Sequence, residues 1–166
     1  MSDKIKKNAV SFTVKGGRKM SPEVLVVVRK LSRRINREVY RLRRLEDLIT
    51  KTHQELDGLP RSQNHSSTVE KITCAIVDAK FLISNLIGIR AECRIELSQI
   101  LTKFFGDNFA EECQTLIYRY AYEYAFISIA GRLGYSRSSV YRFHRNGLQL
   151  LGFDTQEIYL LEADDF

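Results

Sequence analysis

The chain has 166 residues, 44% of them hydrophobic, and its 26 Lys and Arg outnumber its 20 Asp and Glu to give a net charge of +6. That length predicts about one domain, and the low content of chain breakers, two Pro and nine Gly, disfavours a β-sandwich and favours long helices. There is no run of eighteen apolar residues and no secretion signal at the start, so we expect no membrane segment and no secretion. The three Cys are scattered and show no pairing pattern, so we expect a reducing, cytoplasmic location.

The charge is distributed unevenly along the chain. Residues 1–51 hold fifteen basic and five acidic side chains, a net of +10, whereas residues 154–166 hold five acids and no base. The residues between them are nearly neutral. A basic half together with an acidic tail predicts a polyanionic partner, most often nucleic acid.

The N-terminal half is predicted to be an arm followed by a long helix. Residues 1–21 are polar and basic, and we interpret them as a flexible arm with an optional short strand at residues 10–14. Ser21-Pro22-Glu23 is a good helix start, since serine can cap, proline suits the first turn and an acid complements the helix dipole. Nothing interrupts a helix from there to Asp57, and a heptad pattern places apolar residues at all but two of its a and d positions, the exceptions being Glu38 and Thr52. The apolar members are Val28, Leu31, Ile35, Leu42, Leu45, Ile49 and Leu56.

A second long helix is predicted from Thr68 to about Lys103, after the Gly58-Leu59-Pro60 break and a polar loop at residues 61–67. Residues 22–104 therefore form either a helical hairpin, in which the two apolar stripes close on each other, or an intermolecular coiled coil.

The first long helix is strongly basic, and four of its arginines share one face at helical spacing: Arg33, Arg37, Arg41 and Arg44. This row is open to three interpretations. It can contact DNA phosphates, form a solvated flank of the coil, or pair with the acidic tail.

Residues 105–153 are predicted to hold a helix-turn-helix. We expect helices over Ala110–Tyr120, Phe126–Leu133 and Arg137 to about Leu151. The turn at 134–136 has the required features: Gly134 tolerates a positive φ, and Ser136 can cap the helix that follows. Ala130 and Val140 supply the small and the branched apolar residues where two steeply crossing helices touch.

The last of these helices divides into two faces. Val140, Phe143, Gly147 and Leu151 are expected to face the core, and His144 to meet solvent or phosphate. The opposite face carries the residues that we predict to contact DNA: Arg137, Ser138, Tyr141, Arg142 and Arg145. From Ile127 to Leu151 there are four arginines and no acid, and arginine is the favoured side chain for guanine in the major groove.

The segments Leu116–Tyr120 and Ile129–Tyr141 resemble region four of sigma-70-type transcription factors. They resemble still more closely the sigma-four-like phage regulators of the ArpU/RinA type, which act on late genes of phages and prophages in Gram-positive bacteria, and residues 58–62 also resemble that group. The resemblance implies an all-helical regulator in a bacterial host cell, in which the residues matching Arg137, Ser138, Tyr141 and Arg142 face promoter bases. It also implies RNA polymerase as a candidate partner.

The sequence therefore predicts an all-α fold, a long basic helical hairpin or coiled coil followed by a helix-turn-helix, and a sequence-specific DNA-binding regulator of transcription. We expect double-stranded DNA as the partner, a homodimer as an option, and no membrane partner, cofactor, metal site or catalytic residue. Histidines and cysteines lack metal-ligand spacing, and the cysteines are expected to be buried.

Two other classes of function stay open. One is a phage DNA-packaging subunit, similar to a small terminase, and the other is a coiled-coil adaptor with weak DNA binding. The acidic tail, residues 154–166, is expected to be a contact for a protein partner, a lid over the basic helices or, with slight preference, a short helix packed on the core.

Overall fold

The computed structural model describes residues 20–56 and 63–163, and within these ranges all the regular structure is helical. This confirms the all-α class that the scarcity of chain breakers predicts. The helices are α1 (Glu23–Leu56), α2 (Gln63–Phe105), α3 (Ala110–Leu116), α4 (Phe126–Leu133), α5 (Arg137–Leu150) and α6 (Thr155–Ala163), with a π-helical turn at Ile117–Ala121. The predicted arm up to residue 19, its optional strand and the Gly58-Leu59-Pro60 break lie outside the described residues.

The chain divides into two compact units. The first, which we call the hairpin unit, is formed by residues 27–93. The second, which we call the C-terminal unit, contains residues 94–163 together with residues 20–26.

The start of α1 agrees with the sequence prediction, and the start of α2 does not. The amides of Val24 and Leu25 donate to the carbonyls of Ser21 and Pro22, each at 3.1 Å, so α1 starts where the Ser-Pro pair predicts. By contrast, α2 starts at Gln63, five residues before the predicted Thr68. The expectation of a loop through residue 67 is therefore wrong, because residues 63–67 are polar but contain no Gly or Pro to stop a helix.

Within the hairpin unit, α1 and α2 run antiparallel. The Arg90 Nη1 donates to the Ser32 Oγ at 3.2 Å, and the Lys80 Nζ lies 3.2 Å from the Glu46 Oε1. From the first pair to the second, the residue number rises along α1 and falls along α2, as it does when two helices are antiparallel. Of the two arrangements predicted for this region, the structure therefore has the helical hairpin. The stripe is buried most fully at four positions: Val28, Ile35, Ala79 and Leu86.

The other side of α2 is apolar and exposed, with Val77 at 60%, Phe81 at 69% and Ile87 at 44% of full exposure. Residues 68–105 of α2 are long and apolar enough to cross a membrane by length and composition, with a mean hydropathy of 1.7 over an 18-residue window that is 11% buried. A single helix of this kind is weak evidence for a membrane segment. The apolar stretch also contains Asp78 and Lys80, and charged side chains at the centre of a bilayer are costly.

The C-terminal unit is built around a core of fully buried leucines and isoleucines: Leu97, Leu101, Leu116, Ile129, Leu148 and Ile158. Helices α3 and α5 approach closely at Gly147, where an added Cβ would lie 2.9 Å from the Leu116 Cδ1. Only glycine fits at position 147 without a shift, because any larger side chain would push Leu116 aside.

The helix predicted over Ala110–Tyr120 changes type along its length. It is an α-helix only to Leu116 and then widens into the π turn, in which the Tyr122 amide donates to the Ile117 carbonyl at 3.2 Å. Directly after it, Glu123 has a φ of 60°, a left-handed backbone that is unusual for a residue with a side chain. The Arg94 Nη2 donates to the Glu123 Oε2 at 3.2 Å and so holds this corner.

The acidic tail contributes a helix to the same unit. In α6, Ile158 is fully buried, and the Glu162 Oε2 lies 3.3 Å from the Arg119 Nη2. Of the alternatives predicted for this segment, the structure has the short helix packed on the core.

Candidate nucleic-acid interface

The turn between α4 and α5 is fixed by a glycine and a serine. Gly134 ends α4 with a φ of 71° and a ψ of 22°, the left-handed conformation that glycine adopts at little cost. Ser136 precedes α5, and its Oγ accepts a hydrogen bond from the Ser139 amide at 3.2 Å. Both residues therefore occupy the turn and cap positions that the sequence predicts for them.

The contact between α4 and α5 is a small apolar cluster. Ile129 and Val140 are fully buried and Ala130 is 8% exposed, with Leu133 packed beside them. The small Ala130 and the branched Val140 thus meet at the crossing of the two helices, as their spacing predicts.

All five residues that we predict to contact DNA lie exposed on α5: Arg137, Ser138, Tyr141, Arg142 and Arg145. The Tyr141 ring rests against the ring of Phe126, with centroids 4.3 Å apart, and the Arg137 guanidinium lies 5.8 Å from the Tyr141 centroid. Tyr141 therefore packs against Phe126, lies near the positive charge of Arg137, and keeps 41% of its surface exposed to solvent.

The serines at the start of α5 form a hydroxyl cluster. The Ser136 Oγ lies 2.9 Å from both the Ser138 Oγ and the Ser139 Oγ. These hydroxyl groups lie at the N-terminus of α5, where Arg137 is the first residue of the helix.

His144 corrects the prediction for the inner face of α5. It is 2% exposed, so the expectation that it meets solvent or phosphate is wrong. Phe143, expected in the core, is only half-buried and stands edge-on to Tyr135, with ring centroids 5.2 Å apart. The buried face of α5 is therefore turned by about one position toward His144, because this histidine finds a hydrogen-bond partner inside the unit.

That partner is Tyr120, whose hydroxyl lies 2.9 Å from the His144 Nε2. Phe126 stands edge-on to the histidine ring at 5.0 Å, and the Arg119 guanidinium lies 5.0 Å from the centre of the Phe126 ring. Burial, and secondarily the positive charge of Arg119, lowers the pKa of His144 to about 4. The histidine is therefore neutral near pH 7 and acts as a buried polar link between the π turn and α5.

The structure has a tyrosine cluster beside α4 that is absent from the residues predicted for the site. Tyr118, Tyr122 and Tyr124 lie with ring centroids between 5.9 and 6.2 Å apart, and the exposed Arg132 places its guanidinium 4.4 Å from the Tyr124 centroid. The repeated Tyr in residues 118–124 is a visible signal, but the π turn and the Glu123 corner that bring the rings together are not.

The predicted arginine row on α1 belongs to the hairpin unit. Arg33 is half-buried, while Arg37, Arg41 and Arg44 are exposed. The Arg41 Nη1 lies 3.8 Å from the Glu38 Oε2, the outer limit of an ion pair.

The cysteines are not uniformly buried as expected. Cys113 is buried, and this burial raises the pKa of its thiol. Cys93 is partly exposed and Cys74 is exposed, so the expectation holds for Cys113 alone.

Comparisons with protein-family models, with curated proteins and with solved structures gave no match to this chain.

Proposed function

We propose that the protein is a sequence-specific DNA-binding regulator of transcription that reads double-stranded DNA with α5. The observation that carries this proposal is the exposed face of α5, where three arginines, Ser138 and Tyr141 stand together on a helix that is capped at Ser136. Residues 126–150 contain four arginines and no acid, so no carboxylate within α4 or α5 opposes a phosphate.

The dimensions of the site suit a major groove. An α-helix with its side chains is about 10–12 Å across, and the major groove is about 12 Å wide. Arg137 and Ser138 lie in the first turn of α5, which is the end that contacts base edges when a recognition helix enters the groove. Arg142 and Arg145 lie one and two turns further on, where they reach bases or the flanking phosphates.

The regulation of phage or prophage late genes, and the contact with RNA polymerase, are proposed from the resemblance to sigma-four-like regulators alone. A homodimer is proposed as the assembly that presents two copies of α5 to two half-sites.

Two alternatives make different predictions. A packaging subunit would assemble into a large ring, and an adaptor would bind DNA weakly and without sequence preference. Light scattering on the full chain distinguishes the packaging subunit from the regulator, because the regulator is expected as a monomer or dimer. The sequence preference of DNA binding distinguishes the adaptor.

The experiment that tests the proposal is selection from a library of randomised duplexes with the full-length protein. We expect one short sequence to be enriched, and we expect the Arg137→Ala/Arg142→Ala variant to lose that enrichment. Lys103→Ala removes an exposed charge outside α5 and serves as the control. Failure of the wild-type protein to enrich any sequence would contradict the proposal.

A further inference from the structure

The outward face of α1 carries a row of cations between residues 34 and 51. At about 100° per residue, five basic side chains between residues 34 and 51 fall within about 100° of the helix circumference, and no acid between residues 34 and 51 falls in that arc. We call this set the basic row, and all of its members are exposed: Arg34, Arg37, Arg41, Arg44 and Lys51. From the first to the last, the row extends about 26 Å along the helix at ~1.5 Å per residue.

The cations of the basic row are available for a partner. Among the described residues, Arg37 and Arg44 make no ion pair, and Arg41 is 67% exposed despite its 3.8 Å contact with Glu38. An exposed pair at that distance contributes little and is easily exchanged for a phosphate. Two described acids of the tail, the other partner expected for these arginines, have contacts elsewhere: Glu162 pairs with Arg119, and the Asp154 Oδ1 accepts from the Gln156 amide.

The apolar side of α1 argues against a lipid surface. A helix that lies on a bilayer inserts its apolar face into the headgroup boundary, but Val28 and Ile35 of α1 are buried inside the protein. Single-stranded nucleic acid is also a poor fit, because proteins that bind it stack successive bases on several aromatic rings. Among the described side chains of α1, Tyr40 alone offers such an exposed ring.

We propose that the basic row binds the phosphate backbone of double-stranded DNA, as a second contact that does not depend on base sequence. The proposal rests on the function proposed for α5. From Arg37 to Arg44 the row covers about 10.5 Å, or roughly three base-pair steps of ~3.4 Å, which is enough for Arg37, Arg41 and Arg44 each to meet a phosphate. The α5 contact then supplies sequence preference, and the α1 contact supplies affinity that depends on salt.

The test is the salt dependence of binding to a labelled duplex of random sequence, followed by fluorescence anisotropy of the full-length protein between about 50 and 200 mM KCl. The variant is Arg37→Gln/Arg41→Gln/Arg44→Gln, since glutamine keeps the helix propensity of arginine. The control, Arg43→Gln/Lys71→Gln/Lys103→Gln, removes the same charge from exposed positions outside the row. Arg43 is on α1 itself but about 100° round the helix from Arg44.

We expect the slope of log K against log salt to fall by about 2–3 in the row variant, because each lost phosphate contact removes ~0.9. The control variant should keep the wild-type slope. Equal slopes for the row variant and the control would overturn the proposal. Binding to phosphatidylserine–phosphatidylcholine vesicles and to single-stranded DNA is measured for the same proteins. The proposal would also be overturned if the row variant bound duplex DNA as the wild type does and lost affinity only for the vesicles or only for single-stranded DNA.

A further readout separates this inference from the proposed function. The ratio of affinities for a selected duplex and a random duplex should be unchanged in the row variant, and should fall in Arg142→Ala. An unchanged ratio in Arg142→Ala contradicts the role of α5 whatever the row variant does, whereas an unchanged slope in the row variant contradicts only the role of α1.

Discussion

The Tyr120 hydroxyl and the His144 Nε2 lie 2.9 Å apart in the core of the C-terminal unit, and this contact joins the π turn to α5. Because both groups are buried, the pair fixes the rotation of α5 about its own axis: turning the helix would break this hydrogen bond inside the core. The rotation in turn determines that Arg137, Tyr141 and Arg142 point outward. The buried pair therefore positions the proposed DNA-binding face without touching DNA.

Acid should destabilise the protein through His144. Its pKa is lowered from 6.5 to about 4 in the folded state, so between these pH values the unfolded chain takes up a proton that the folded chain does not. This contribution to stability is complete above pH 6.5 and is lost as the pH falls toward 4, with a magnitude of about 3 kcal/mol. Urea unfolding across this range should give a shallower fall for His144→Gln than for the wild type. Parallel curves for the two proteins would contradict the buried neutral histidine.

Two glycines three residues apart should respond oppositely to alanine. Gly134→Ala forces a side chain into a φ of 71° and should cost about 1–2 kcal/mol of unfolding free energy. Gly131→Ala lies inside α4 with no atom within 4 Å of the new Cβ, so it should stabilise by about 0.5–1 kcal/mol. Thermal unfolding of both variants measures the difference. If Gly134→Ala were as stable as Gly131→Ala, the left-handed conformation assigned to Gly134 would be contradicted.

The pair of Arg119 and Glu162 should hold α6 to the C-terminal unit. The side chains are 15% and 10% exposed, so Glu162→Ala leaves a poorly solvated guanidinium and should cost about 3 kcal/mol. Glu157 lies exposed in the first turn of the same helix, and Glu157→Ala should cost less than about 1 kcal/mol. Denaturant unfolding tests both variants, and equal losses would show that the ion pair does not anchor the tail.

Local sequence signals were enough to predict the segment from α4 to α5. Gly134 requires a left-handed conformation, Ser136 caps, and Ala130 and Val140 have the spacing of a helix crossing, so each signal acts within a few residues of its position. The same locality explains the error at the start of α2, where a polar stretch was expected to be a loop although no Gly or Pro interrupts it.

The contacts that were not predicted join distant parts of the chain. Tyr120 and His144 are 24 residues apart and Arg119 and Glu162 are 43 apart, so no local pattern links the partners. His144 sits in a stretch rich in arginine, which indicates a solvated face. Its burial depends on the π turn, which turns Tyr120 inward, and π turns have no sequence signature comparable to a glycine or a cap.

The affinity of Arg137→Ala and Arg142→Ala for a selected duplex tests the central claim most directly, because both residues lie exposed on α5 and neither belongs to its core. Fluorescence anisotropy should show each variant weakened by about 1–3 kcal/mol, or roughly 5-fold to 150-fold, with helix content and thermal stability as in the wild type. Lys103→Ala should bind as the wild type does. Wild-type affinity in both arginine variants would contradict the assignment of α5 as the helix that reads DNA.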